Sequence, residues 1–295
     1  MSLVATLIAN PANPCLSQGL AERVAATLGT TSKNWLAPQI ACELIVDGPT
    51  NGDAVADSCR QVLADQPVDV IVQPRESRRR KILLADMDST MIEQECIDEL
   101  AGAIGIKDQV AAITARAMNG EIEFEPALRE RVALLKNLPV GMIEEVIKTR
   151  ITLAPGGREL VATMKHHGGY AALVSGGFTA FTARIGAMLG FDENRANTLL
   201  EKDGVLTGKV GEPILGRKAK VAALSEISAA HGLSDDDVIA VGDGANDLDM
   251  LALAGTGVAV HAKPAVAAAA QHRIDHGDLT ALLYMQGYHQ NEFVK

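Results

Sequence analysis

The apolar positions along this chain change period twice, and each change marks a change of architecture. Leu3–Ala9 is apolar almost throughout and predicts a strand. Leu16, Leu20, Val24 and Leu28 then recur at helical spacing, which predicts a helix from Pro14 to Leu28 that stops at Gly29. Trp35–Leu36 and Ile40–Val46 read as strands separated by Pro38. Asp53 to Leu63 reads as a second helix with Val55, Cys59 and Val62 on one side, and Val68–Val72 as a further strand. Residues 1–75 therefore predict a small α+β unit in the order β-α-β-β-α-β.

The run Gln73-Pro-Arg-Glu-Ser-Arg-Arg-Arg-Lys81 interrupts this pattern and marks a boundary. It is short and leads straight into an apolar segment, so residues 76–81 are expected to be a solvated linker rather than a nucleic-acid patch. Lys81–Ala85 is a strand candidate, followed by helical patterning from Ile92 to about Arg150. Apolar runs at Ala171–Val174, Val238–Val241 and Gly257–Val260 then alternate with helical stretches. That alternation predicts an α/β fold: a doubly wound parallel sheet over 82–295, with a small helical insert at about 93–150. Thr198–Val210 departs from it, with two extended runs flanking Asp203-Gly204, a hairpin signal.

Composition narrows the partners. Hydrophobic residues make up 47% and aromatics 3%, so the cores should be aliphatic, and the formal charge of −10 argues against nucleic-acid or anionic membrane partners. No apolar run reaches the roughly 18–20 residues of a membrane helix. No basic residue precedes Arg23, so a secretory signal is not expected. Cys15, Cys42, Cys59 and Cys96 form no C-x-x-C pair and read as reduced thiols of a cytoplasmic protein.

The chemistry is concentrated just beyond the strands. Ligands of doubly wound sheets bind outside the carboxyl ends of the strands. There the chain carries Asp86-Met-Asp-Ser-Thr90, Ser175-Gly-Gly177 and Gly242-Asp-Gly-Ala-Asn-Asp247. Any one of these reads as well as a cap or turn, but three in one sheet do not. Asp86 and Asp88 repel each other unless a cation intervenes, and Asp243 adds a third carboxylate, a set that suits Mg²⁺. A carboxylate can attack phosphorus, a second can protonate the leaving group, and Ser175 and the Gly176 amide can donate to phosphate oxygens.

These runs resemble the haloacid dehalogenase superfamily of phosphatases. Within it, Asp86 to Glu95, Leu128 to Pro139, Val174 to Phe178, Lys202 to Gly208 and Gly242 to Asp247 are similar to blocks of the phosphoserine phosphatases. The resemblance implies hydrolysis of O-phospho-L-serine to serine and phosphate through an aspartyl-phosphate intermediate, the last step of serine biosynthesis. It implies Asp86 as nucleophile and Asp88 as general acid and base. Asp86, Asp88 (through its carbonyl) and Asp243 would hold Mg²⁺. Ser175, Gly176 and Lys220 would bind the phosphoryl group, Lys220 being preferred to Lys218 on its spacing from Asp243. Asn246 would contact substrate and Asp247 would support. In the helical cap, Glu95 would take the substrate ammonium and Arg131, rather than Arg129, its carboxylate; Met118 and Phe124 would line an apolar wall. The alternatives are a phosphatase of another small phosphorylated amino acid, or an amino-acid-binding regulator with a vestigial site. The N-terminal unit resembles the ACT-type regulatory fold. Its first strand-to-helix turn, Ala9 to Pro14, has no glycine, so a structural role or a homodimer contact is expected as readily as ligand binding.

Overall fold

The structure, a computed structural model, describes residues 2–48, 51–64, 66–118 and 121–295, with Met118 in backbone only. Strand β1 (Leu3–Ala9), helix α1 (Gln18–Thr27), strands β2 (Lys33–Ala37) and β3 (Ala41–Val46), helix α2 (Gly52–Leu63) and strand β4 (Val68–Pro74) follow the predicted order. Their strands pair antiparallel as β2-β3-β1-β4. Helix α1 begins later than its periodicity predicts. The hydroxyl of Ser17 accepts from the Leu20 amide at 3.2 Å and caps the helix there, leaving Pro14–Leu16 outside it.

This sheet buries both faces, in different ways. Ala5, Leu7, Cys42, Leu44, Val68 and Val70 pack on α1 and α2. The alternate positions include Ile8, Ala41 and Ile71, which join the large core of the C-terminal half. Of the buried polar residues among them, Asp69 and Gln73 bind the C-terminal half directly and Glu43 binds the connector. Asp69 accepts from the amides of Asp275, His276 and Gly277, at 2.7 Å from the last. Gln73 donates to the Met285 carbonyl at 2.5 Å. Glu43 takes Arg78 at 2.5 Å and the Asn34 amide at 3.1 Å.

In the C-terminal half, β5 (Ile82–Ala85) is followed by α3 (Cys96–Ala103), α4 (Lys107–Met118), α5 (Phe124–Leu134) and α6 (Gly141–Arg150), which fill the predicted insert. Then come α7 (Gly157–His166), β6 (Tyr170–Phe178), α8 (Thr179–Leu189), β7 (Glu193–Asn197), the hairpin β8 (Leu199–Lys202) and β9 (Val205–Val210), and α9 (Arg217–Ala230). The chain closes with β10 (Val238–Gly242), α10 (Leu248–Leu253), β11 (Thr256–Val260), α11 (Pro264–Ala269), β12 (His272–Ile274) and α12 (Ala281–Met285). The parallel sheet runs β12-β11-β10-β5-β6-β7. Leu83, Ala85, Leu173 and Val241 point into one core, and Ile82, Leu84, Val174 and Ala240 into another. That two-sided burial is why these strands read as continuous apolar runs. The edge strands β7 and β12 are polar, each having one neighbour only, and for that reason no apolar run announces them. Asp203 and Gly204 both take positive φ in the hairpin turn, as its signal requires.

The basic run is only partly solvated: Glu76, Ser77, Arg79 and Lys81 are exposed, and Arg78 and Arg80 are half-buried. Besides the Arg78–Glu43 pair, Arg79 lies 3.9 Å over the Tyr288 ring and reaches Glu292, and Arg80 donates to Thr256 Oγ1 and to the carbonyls of Asp236 and Gly255. Lys81 pairs with Asp237 at 3.2 Å. Arg78 and Arg80 turn inward because the connector lies in the joint between two sheets, where carbonyls and a carboxylate converge on them, while Arg79 and Lys81 stay exposed. Gly287, at φ +78, lets the Arg78 guanidinium lie against its backbone; a side chain at 287 would collide with it.

The joint is testable. Asp69→Ala removes the acceptor of several buried amides and should lower the unfolding free energy by roughly 2–4 kcal/mol in urea titrations. Glu201→Ala, at an exposed position, should stay within about 0.5 kcal/mol of the parent.

Candidate active site

Asp86 is the first residue past β5, and its amide still donates to the Val241 carbonyl at 3.0 Å, so the sheet ladder fixes its position. Beyond it the chain folds back: the amides of Thr90, Met91 and Ile92 all donate to the Met87 carbonyl, with Ser89 at φ +55. This turn brings Asp88 beside the next strand tip. There β6 runs on past its predicted end, with a register shift between Val174 and Phe178 that displaces Ser175, Gly176 and Gly177 from regular pairing. Ser175 Oγ donates to Asp88 Oδ2 at 3.3 Å and accepts from the Gly177 amide at 2.9 Å. Gly177 is required by close approach, since a Cβ there would stand 2.6 Å from Asp88 Oδ2. The other oxygen of Asp88 accepts from the Cys96 amide, at the start of α3, at 2.8 Å.

From the opposite side, the first turn of α9 carries Lys220 into the interior, where its side chain is 0% exposed. Its ammonium donates to Asp247 at 2.6 Å and pairs with Asp86 Oδ1 at 2.7 Å. The approach to Asp86 is off the hydrogen-bond axis, so that oxygen is buried without an aligned donor. Asp86, Asp243 and Asp247 bring carboxylate oxygens within 4.8 Å of one another. Thr90 Oγ1 donates to Asp243 at 3.2 Å, and the Gly244 amide to Asp247 at 2.9 Å.

Burial and the Asp247 charge push Asp86 well above the usual carboxylate range, with Lys220 acting against them. Burial, then Glu95, holds Asp88 up at about 6, and burial, then Asp247, does the same for Asp243. Burial alone would push the Lys220 ammonium down, but Asp86 and Asp247 raise it. Three buried carboxylates against one ammonium leave two negative charges in a dry site. The ligand set is all oxygen and carries more negative charge than Lys220 offsets, which is what a hard divalent cation such as Mg²⁺ accepts.

Residues far apart in sequence thus meet as expected: Asp86, Asp88, Ser175, Lys220 and Asp243 converge, and Asp247, expected in a supporting place, stands inside the carboxylate cluster. Asn246 is half-buried close to Gly176. Lys218 is exposed, so the lysine of the site is Lys220. Glu95 is exposed and accepts from Ser89 Oγ at 2.8 Å. Arg131 is partly buried, with Nη1 3.5 Å from Thr114 Oγ1, and feels the charges of Asp98, Glu95 and Asp88. Arg129 is exposed and pairs with Glu212 at 2.5 Å, away from those carboxylates. Phe124 packs so close that a Cβ on Gly176 or Gly216 would meet its ring at 3.4 or 3.3 Å; the side chain of Met118 lies outside the described residues.

Two contributors are absent from the sequence reading. Thr90 stands inside the quoted Asp86–Thr90 run, and only its contact with Asp243 reveals its use. Asn197, at the end of polar β7, donates to the Gly176 and Leu215 carbonyls at 2.8 and 3.1 Å and accepts from the Leu215 amide at 2.6 Å. It ties the bulged loop to the segment that delivers Lys220, and a lone polar residue on an unannounced strand gives no signal of this.

Residues 83–252 match the haloacid dehalogenase-like hydrolase family. The phosphoserine phosphatase of Archaeoglobus fulgidus is 40% identical over 82% of this chain and 71% of its own length. That of a Polaromonas species is 48% identical over 69% of this chain and 88% of its own. A crystal structure of a probable phosphoserine phosphatase from Vibrio cholerae, in unliganded form, superposes with a TM-score of 0.80 at 31% identity, covering 99% of this chain and 88% of that one.

The charge argument predicts a stability effect. In metal-free protein, Lys220→Met should cost about 3–5 kcal/mol of unfolding free energy, because it strips the buried carboxylates of their only paired cation. Asp86→Asn/Lys220→Met should recover part of that loss in the same denaturation assay.

Proposed function

We propose that this chain, which belongs to the haloacid dehalogenase-like hydrolase family, hydrolyses O-phospho-L-serine to serine and phosphate through an aspartyl-phosphate (acyl phosphate) intermediate on Asp86. The observation that carries the reading is the buried Asp86 carboxylate, held by the sheet ladder, beside Lys220 and with an oxygen that has no aligned donor. Its relatives named phosphoserine phosphatases give the substrate class.

In the first step a carboxylate oxygen of Asp86 forms a bond to phosphorus as the bond to the serine oxygen breaks. Asp88 delivers a proton to that leaving oxygen, from a position fixed by the Cys96 amide and Ser175. In the second step water attacks phosphorus, Asp88 takes its proton, and Asp86 is released. Lys220, Ser175 and the Gly176 backbone bind the phosphoryl oxygens, and the buried ammonium needs no solvent rearrangement to stabilise the extra charge. Asp86, Asp243 and the carbonyl of Asp88 would hold Mg²⁺, with Asp247 beside them. The ion would supply charge neutralisation and orient the phosphate. Arg131 would read the substrate carboxylate with its planar fork, Glu95 would take the ammonium, and Asn246 would lie against the substrate. Phe124 would exclude water when the cap is closed. The reaction is soluble small-molecule chemistry, consistent with the absence of any membrane-crossing helix among the described residues. The N-terminal unit, 1–75, would be an ACT-like domain with residues 76–81 as its tether, and the free edge β2 offers a place for a homodimer contact.

Three measurements test this. Acid-quenched enzyme supplied with labelled phosphoserine should carry phosphate on Asp86, and Asp86→Asn should be inactive while still folded; label on Ser89 or Ser175 would overturn the mechanism. Chelation should abolish turnover and Mg²⁺ should restore it, together with a rise in Tm from neutralising the carboxylate cluster. Arg131→Ala should lower kcat/KM for phosphoserine roughly 10- to 100-fold, the loss of one charged hydrogen bond, and affect an aryl phosphate far less. Equal losses on both substrates would make Arg131 structural.

A further inference from the structure

A cavity of about 340 Å³ lies at the other end of the parallel sheet, under the first residues of β11 and β12 and against the end of β4. That size is at the low end for ligand sites, roughly 300–1,000 Å³. Its walls come from both sheets and from the connector between them, and they are rich in donors. Arg78 pairs with Glu43, yet its buried Nη1 makes no aligned hydrogen bond. Arg80 uses three N–H groups on Thr256, Asp236 and Gly255, which leaves two of the five a guanidinium carries. Gln271, exposed, accepts from the Gly257 amide through its carbonyl oxygen, and its NH₂ makes no hydrogen bond to another described residue. Among the described residues His272 has no hydrogen-bond partner on its ring, and burial together with Arg80 holds it down at about 4, so it stands neutral with one N–H to offer. The exposed Ser77 also lines the cavity. Glu43 already engages Arg78 and the charges of Asp236 and Asp237 act on Arg80, all three from outside the lining; within the lining the one acidic residue is the exposed Glu76.

We propose that this cavity is a binding site for a small anion whose carboxylate or phosphate head is held by Arg78 and Arg80, with Gln271 and His272 completing the cradle. The N–H groups of Arg80 not spent on Thr256, Asp236 and Gly255, and those of Arg78 not turned to Glu43, stand beside neutral donors and complement a planar or tetrahedral oxyanion, while the one acidic residue of the lining is exposed. A ligand here bridges the connector and the foot of the parallel sheet. The connector runs directly into β5, whose far end carries Asp86, so occupancy acts on the same strand as the phosphatase site from its opposite end.

The test is calorimetric titration of the full chain with three probes: malonate, L-serine and inorganic phosphate. Arg78→Lys keeps a cation for Glu43 but loses the fork, and Gln271→Glu keeps the acceptor for Gly257 while placing a negative charge in the cradle. At least one probe should bind the parent saturably and lose roughly tenfold or more in affinity in each variant, while kcat and KM on phosphoserine stay unchanged. Loss confined to malonate and L-serine identifies a carboxylate; loss confined to phosphate identifies a phosphate head. Since binding is read as heat, the result does not depend on the proposed reaction. If Arg78→Lys fails to fold, Gln271→Glu alone decides. No saturable binding to the parent, or affinities in the folded variants equal to the parent's, would overturn the proposal.

Discussion

One buried ammonium holds the candidate site together. Lys220 is wholly enclosed and reaches both Asp86 and Asp247, and without it the carboxylate cluster would be buried with no paired cation among the described residues. A buried charge of this kind is tolerable only with its partners in place, so the positions of three separate segments become linked. The β5 tip must deliver Asp86, the loop after β10 must deliver Asp243 and Asp247, and the first turn of α9 must deliver Lys220. Asn197 and Thr90 then fix the remaining slack, one between the bulged loop and the approach to α9, the other between the Asp86 turn and Asp243. The compensation is incomplete, and that deficit of positive charge is the physical basis for a divalent cation and for phosphate chemistry at this point.

The second constraint is the joint between the sheets. The N-terminal sheet keeps one apolar face for its own helices and presents Asp69, Gln73 and Glu43 on the other, each matched by a backbone group or a guanidinium of the C-terminal half or the connector. Polar groups buried in this way are costly when unmatched, so they favour one docking geometry over others that would bury similar apolar area. The connector thereby becomes part of the packing, and its Arg78 and Arg80 face a cavity.

Much of this was legible in the sequence. The buried central strands announced themselves because apolar side chains are needed on both faces, and the residues just past their carboxyl ends could be read as a site because parallel topology sends all of those ends to one side. The hairpin was legible for a local reason, the demand for positive φ at Asp203 and Gly204. Asp86, Asp88, Ser175, Lys220 and Asp243 were therefore nameable from pattern and resemblance, and so was the order of the N-terminal elements.

What tertiary structure alone decided is who meets whom. A run of arginines reads as solvated because charge normally seeks water; only the fold shows carbonyls and Glu43 converging on Arg78 and Arg80. The edge strands β7 and β12 are polar because one side of each lacks a neighbour, so no periodicity marks them, and Asn197 goes unmarked with β7. The choice between Arg129 and Arg131 likewise turns on which way a helix faces: Arg129 meets Glu212 at the surface, and Arg131 lies partly buried in the field of Asp98 and Glu95. Sequence by itself determined the chemistry available and the ends of the strands that carry it, because those follow from local period and connectivity. Distances, burial and the balance of charge depend on contacts between segments remote in the chain, and only the folded arrangement decides them.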